Sequence, residues 1–363
     1  MKQERLDGID LARAIAILGM FIMHTFAKQD PDNKFLQAFE GRSTILFTVL
    51  AGVSVILMSR TRNVKQSLAQ FGIRGIFIMA LGLSITTENT GPIVILSTYG
   101  ALYLVVAPLL FRAPGWLLAV VAAATTFVAP WLSFVLRQDL EPAAEFGEIP
   151  TWSMLVDGEI GRALELLFVT GNFPVLTLAP VFIAGMAAGR ALIRTKYAWD
   201  GLIGVGGILA AAAFWVNVWA LSDRGFVDKL AALDDPFTAY GVTNLADSRF
   251  LWVYVPHSGS ITELIGSIGV SLCVIGIGVL VCTFGPLNTV TYPLRAVGRM
   301  PLTIYTAHIM AVGMINFMGA HISWPEYAWP NLLVPLFFAP AWLVFFKRGP
   351  LEMLQRQLLR ITG

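Results

Sequence analysis

An all-α, polytopic integral membrane protein is the fold class this sequence predicts, and three observations carry it. Of the 363 residues, 56% are hydrophobic and only 13% are charged, with a mean hydropathy of +0.70. Those values lie far from soluble-domain averages. The apolar residues gather into about ten runs of roughly 15–24 residues, the length a helix needs to cross a bilayer. The basic residues fall mainly on alternate connections, as the positive-inside rule requires.

The runs extend from Gly8 to Ala27, Ser43 to Met58, Leu68 to Thr86, Pro92 to Phe111 and Gly115 to Val135. The second set extends from Pro174 to Ala188, Gly201 to Leu221, Ile261 to Phe284, Pro301 to Met318 and Leu332 to Phe346. No small-residue cleavage site follows the first run, so it is expected to stay as a helix and not to be a signal peptide. With the N-terminus inside, 17 of the 25 lysines and arginines lie on the inner side or at helix bases. Both termini are therefore expected in the cytoplasm, with one transmembrane domain over residues 1–363.

Two long outer loops are expected, about 136–173 and 222–260. The first carries Asp139, Glu141, Glu145, Glu148, Asp157, Glu159 and Glu165, and the second Asp223, Asp228, Asp234, Asp235 and Asp247. Long loops in compact proteins are usually lids or binding surfaces. Trp152, Trp252 and Tyr254 supply headgroup-level anchors, and Glu159 to Val169 has room for a re-entrant or interfacial helix. Cys273 and Cys282 share one apolar run and read as small packed residues, with no disulfide framework and no metal site expected. The glycines of Gly204 to Gly207 lie inside an apolar helix, where packing contacts are the expected role.

The chemistry concentrates in the first run. Asp10, Arg13, Ile17, Met20 and His24 step by three and four along one helical face. Arg13 and His24 are separated by about 16 Å along it. Ionisable groups at membrane depth cost roughly 2.5–3.5 kcal/mol each on insertion scales and mark function. The structural alternative is an interfacial Asp10–Arg13 ion pair with His24 bonded to a neighbouring helix. Three later stretches carry further candidates. His257 precedes a helix opening near Ser260, and Glu263 either closes a capping box with Ser260 or tunes His257. Tyr305 and His308 share a face and either bind substrate or join helices. Arg42 stands at the mouth of the second helix, where it contacts substrate or simply snorkels. His321 is expected at the surface.

RLDGIDLARAIAILGMFIMH resembles the opening helix of the transmembrane acyltransferase superfamily. That group includes the heparan-α-glucosaminide N-acetyltransferases, the YeiB-like proteins and the acyltransferase-3 O-acetylases. Arg13, ten residues and His24 reproduce the R-x10-H pattern of the last. GRSTILFTVLAGVS, APVFIAGMAAGR, PHSGSITELIGSIGVSLCVIGIGVL and PLRAVGRMPLTIYTAH resemble the YeiB-like and heparan-acetyltransferase branch. One departure is plain: Lys28 to Arg42 holds no histidine, whereas the heparan enzymes carry their reactive histidine in that loop. Ten spans also differ from the eleven of that branch.

The resemblance implies acetyl transfer from cytosolic acetyl-CoA, a donor substrate, to an acceptor outside. His24, Arg13, Asp10, His257 and Glu263 are the expected catalytic set, with Arg42, Tyr305 and His308 on the acceptor. Arg74, Arg299, Arg295 and Arg190 are expected at the donor phosphates, since guanidinium suits bidentate phosphate contacts. The expected acceptor is a hydroxyl of an envelope sugar or glycolipid, a trehalose-mycolate type lipid being one example. The remaining expectations are an inner or plasma membrane location, the bilayer as partner and no nucleic acid, with homo-oligomerisation left open. A transporter or flippase for a lipid-linked sugar, using the same ionisable groups as a relay, is the alternative.

Overall fold

The computed structural model describes residues 6–26, 33–86, 92–140, 148–195, 197–233 and 238–360. Lys2, Arg5, Lys28, Glu141, Glu145, Lys196, Asp234 and Asp235, counted above in the charge pattern, lie outside the described residues. Among the described residues the chain is helical and strand-free, and it is a multi-pass membrane protein.

Helix α1 (Asp7–Phe26) is followed by one turn, α2 (Lys34–Gln37), and by α3 (Arg42–Ser59). Helix α4 (Val64–Ile85) begins four residues before its apolar run, because Asn63 and Gln66 form a capping box that satisfies the first free N–H groups. Helices α5 (Leu96–Leu110) and α6 (Gly115–Leu136) complete the first half. The first outer loop folds into two short helices, α7 (Trp152–Val156) and α8 (Ile160–Glu165), then a π-turn over Leu166–Thr170. Trp152 ties it to α4 through an indole bond to Ser84 (3.2 Å). Helices α9 (Val175–Arg194) and α10 (Ala198–Ala220) follow, and the second outer loop contains α11 (Arg224–Ala231). Asp247 holds that loop by accepting from Lys229 (3.0 Å) and Arg249 (2.9 Å). The bonds to Arg249 pull the Asp247 carboxyl well below the usual carboxylate range.

Helix α12 (Ile261–Thr283) leads through α13 (Gly285–Val290) to α14 (Tyr292–Gly298) and α15 (Pro301–Phe317). The last two meet at an 82° bend. Helix α16 (Pro325–Phe345) starts seven residues before its expected run. Pro325 fits the first helical turn, and Pro330, Pro335 and Pro340 are carried inside. The amphipathic α17 (Pro350–Arg360) closes the chain. Each expected span contains a helix. Among the described residues, eight helices are long and apolar enough to cross a membrane alone, α14 and α15 add a ninth as a bent pair, and α5 is a shorter apolar helix.

The core is α1, α3, α9 and α12, whose apolar windows are 56–67% buried, against 11% for α16 and 17% for α10. Small residues let their backbones touch. A Cβ on Gly52 would overlap the Phe182 carbonyl, one on Gly185 the Val49 carbonyl, and one on Gly189 would press on Val53, so α3 and α9 run parallel, Val49 level with Gly185 and Val53 with Gly189, at small-residue contacts. Of the glycines at 204–207, only Gly206 packs, against Gly269 of α12. Gly204 and Gly207 meet no atom within 4 Å, so packing explains one of the three and not the set. Helix α1 is antiparallel to α3, with Arg13 beside Ser54 and Gly19 beside Ser43. It is also antiparallel to α12, with Gly8 against Val279. The C-terminal end of α1 therefore lies with the N-terminal ends of α3, α9 and α12.

Candidate active site

Two clusters occupy that end of the bundle. The first lies inside the helices. His24 sits two residues from the end of α1, and its Nδ1 is 2.9 Å from Nε2 of His308 on α15. The rings are within 10° of parallel with centroids 5.2 Å apart, the separation that edge-to-edge rings joined nitrogen to nitrogen leave. Phe21, one turn earlier on α1, covers the face of His308 at 3.8 Å. Nδ1 of His308 in turn meets Oδ1 of Asn331 on α16 at 2.9 Å, and the Asn331 amide donates to the Tyr327 carbonyl (3.3 Å). Sequence reading grouped His308 with Tyr305 and missed Asn331. The available signal was a lone amide in the apolar run WPNLLVP. Tyr305 is buried beneath this site, with its hydroxyl against the backbone of Ile95.

Farther along α1, Arg13 donates to Asp10 (2.7 Å) and to Ser54 of α3 (2.9 Å). The ion pair that the sequence suggested is present, and Ser54 is a partner that no motif announced. Asp10 is 1% exposed, so the pair is a buried one whose loss on one side would leave an uncompensated charge.

The second cluster caps the bundle. The loop before α12 folds back on Glu263, whose carboxylate accepts from the backbone N–H groups of His257 and Gly259, both at 2.7 Å. Ser260 accepts from the Glu263 N–H, as an N-cap should. The capping box is thus half present, because the Glu263 side chain reaches past Ser260 to the loop. No bond joins Glu263 to the His257 ring, so the two do not form the acid–imidazole pair that the sequence allowed. His257 takes a left-handed backbone (φ 62°), and burial pulls its imidazole down to about 4. Gly41, Asn172, Pro174 and Gly241 complete a crevice beside it with room for about one water. Arg42 lies over the Tyr254 ring (5.1 Å) at this level.

The arginines at the other end differ in their engagements. Arg190 donates to the Phe111 and Ala113 carbonyls and so closes the end of α5. Arg295 is 9% exposed, paired with Asp7 at 2.7 Å and bonded to the Asn288 carbonyl. Arg74 lies about three turns inside α4. It bonds Gln355 of α17 (2.6 Å) and lies 5.7 Å from the Tyr103 ring centre. Arg299 stands at the α14–α15 bend, and its Nε is buried and unpartnered, as are those of Arg74 and Arg295. It is the one of the four that carries no side-chain hydrogen bond or ion pair among the described residues.

Residues 5–213 match the family described as heparan-α-glucosaminide N-acetyltransferase, catalytic. The chain belongs to that family. Residues 235–362 also match a family described as protein of unknown function (DUF418), and no curated protein matches the chain. Membership makes the protein a membrane enzyme of the acetyltransferase type. His24 lies in the segment matched by the N-acetyltransferase family, and His308 and Asn331 in the other, so the imidazole pair joins the two.

Proposed function

We propose that this protein transfers acetyl from cytosolic acetyl-CoA to a hydroxyl of an extracytoplasmic sugar or glycolipid, with His24 as the base. The observation that supports this most is the His24–His308 contact, a paired imidazole inside the bundle at the end where α3, α9 and α12 begin. In the reaction, His24 takes the proton of the acceptor hydroxyl, whose oxygen attacks the acetyl carbonyl carbon. The carbon–sulfur bond then breaks, and His24 returns the proton to the departing thiolate. Ester and free thiol are the balanced products. A positioned base of this kind contributes typically 10²–10⁴-fold.

Arg299, which makes no side-chain hydrogen bond or ion pair among the described residues, is the preferred contact for donor phosphate, and Arg74 the second. Arg190 and Arg295 hold helix ends in this reading. The Asp10–Arg13 pair sets the polar level between the two ends, and His257 with Arg42 lines the acceptor entrance. Both termini are cytoplasmic, loops 136–173 and 222–260 face outward, and the whole chain acts as one domain. The transporter alternative draws on one observation, the 82° break between α14 and α15, since interrupted helices are common in transporters.

The test is purified protein in nanodiscs, given labelled acetyl-CoA and an envelope-lipid extract, with trehalose-mycolate lipids as a separate acceptor arm. Labelled lipid should form, and His24→Ala should abolish it while donor binding persists. Donor bound but never consumed, or full turnover in His24→Ala, would overturn the reading.

A further inference from the structure

We infer that Asn331 and His308 are positioning residues that fix the tautomer of His24, leaving its Nε2 as the basic nitrogen. The inference rests on the proposed role of His24 but reaches it from hydrogen-bond geometry alone.

The proton count runs inward from α16. The Asn331 amide nitrogen donates to the Tyr327 carbonyl, which turns its oxygen toward His308. That oxygen can only accept, so His308 Nδ1 must carry the proton of the 2.9 Å bond. A neutral imidazole has one N–H, and His308 Nε2 is therefore a lone pair. Across 2.9 Å, His24 Nδ1 must supply the proton. With both rings neutral, His24 keeps its lone pair on Nε2.

Orientation is fixed as firmly as protonation. Phe21 covers one face of His308, and the near-parallel rings allow an in-plane N–H···N bond. The logic is that of an amide or carboxylate behind a catalytic imidazole, where the outer group selects the tautomer and does not itself exchange a proton. His308 is thus a link behind His24 and not an acceptor-binding group.

The experiment is ¹⁵N NMR of histidine-labelled protein in nanodiscs. The chain has only 4 histidines, and His24→Asn assigns the ring by subtraction. In the wild type, His24 should show Nδ1–H with Nε2 unprotonated. Asn331→Leu should give mixed tautomers at His24 and lower turnover by at least about 10-fold with donor binding unchanged. Asn331→Asp, which keeps the acceptor, should restore the single tautomer. An Nε2–H tautomer in the wild type, or an unchanged tautomer in Asn331→Leu, would overturn the inference. Both ring readouts are independent of turnover. Full activity in His24→Ala would remove the functional reading and leave the tautomer assignment standing.

Discussion

Glu263→Gln separates a structural carboxylate from a chemical one. Glu263 is 2% exposed and holds two backbone N–H groups at 2.7 Å. Hydrogen bonds to a buried charged group are each worth about 1.5–3 kcal/mol. The glutamine keeps one carbonyl oxygen but sets its NH₂ against the other N–H, so one bond is lost and a buried donor is stranded. Those two effects together amount to about 3 kcal/mol or more. The loop also holds His257 at positive φ, a conformation that costs of order 1–3 kcal/mol and persists only under such restraint. Thermal unfolding in one detergent should therefore show a lowered midpoint, and amide exchange should quicken across 255–260. Turnover of the fraction that remains folded should stay within a few-fold of wild type. An unchanged midpoint with abolished turnover would refute this reasoning and make Glu263 a participant in proton transfer.

Other expectations follow from the same geometry. Arg299→Gln and Arg74→Gln should weaken acetyl-CoA binding, measured by calorimetry, with Arg299→Gln the larger loss; donor affinity unchanged in both would move the phosphate site elsewhere. His257 is held near 4, below its ordinary value, so the unfolded chain binds more protons as pH falls. Wild-type stability should decline between about pH 6.5 and 4 more steeply than that of His257→Gln, and parallel curves from unfolding at each pH would exclude the effect. With Cys273 and Cys282 replaced by alanine, Ala38→Cys and Ala246→Cys should react with an impermeant maleimide in intact cells, and Thr61→Cys only after lysis. The reverse pattern would invert the topology.

What could be read from the sequence follows the physics of each signal. Apolar run length located α1, α3, α6, α10 and α12 to within a few residues, because bilayer thickness fixes it. It misplaced the start of α16, where prolines look like breakers yet the first fits a helix opening and the others sit on a helix that lipid and neighbours support. The Asp10–Arg13 pair was legible because i to i+3 spacing is local. The chain from His24 through His308 to Asn331 was not, since His308 and Asn331 lie 284 and 307 positions from His24 and only folding brings them together. Nor could counting arginines separate Arg299 from Arg190 and Arg295, because the carbonyls and carboxylate that occupy the latter come from other helices.

The prolines of α16 have a mechanical consequence. Pro335 has no N–H to give the Asn331 carbonyl, and Pro330 and Pro340 leave two more rungs of the same helix open. The anchor of the imidazole chain is thus mounted on a compliant spring, and that spring is only 11% buried in protein. Bilayer thickness and lateral pressure act directly on such a helix. A thinner or thicker membrane should flex α16 and shift Asn331, so the His24–His308 contact is expected to respond to the lipid around it.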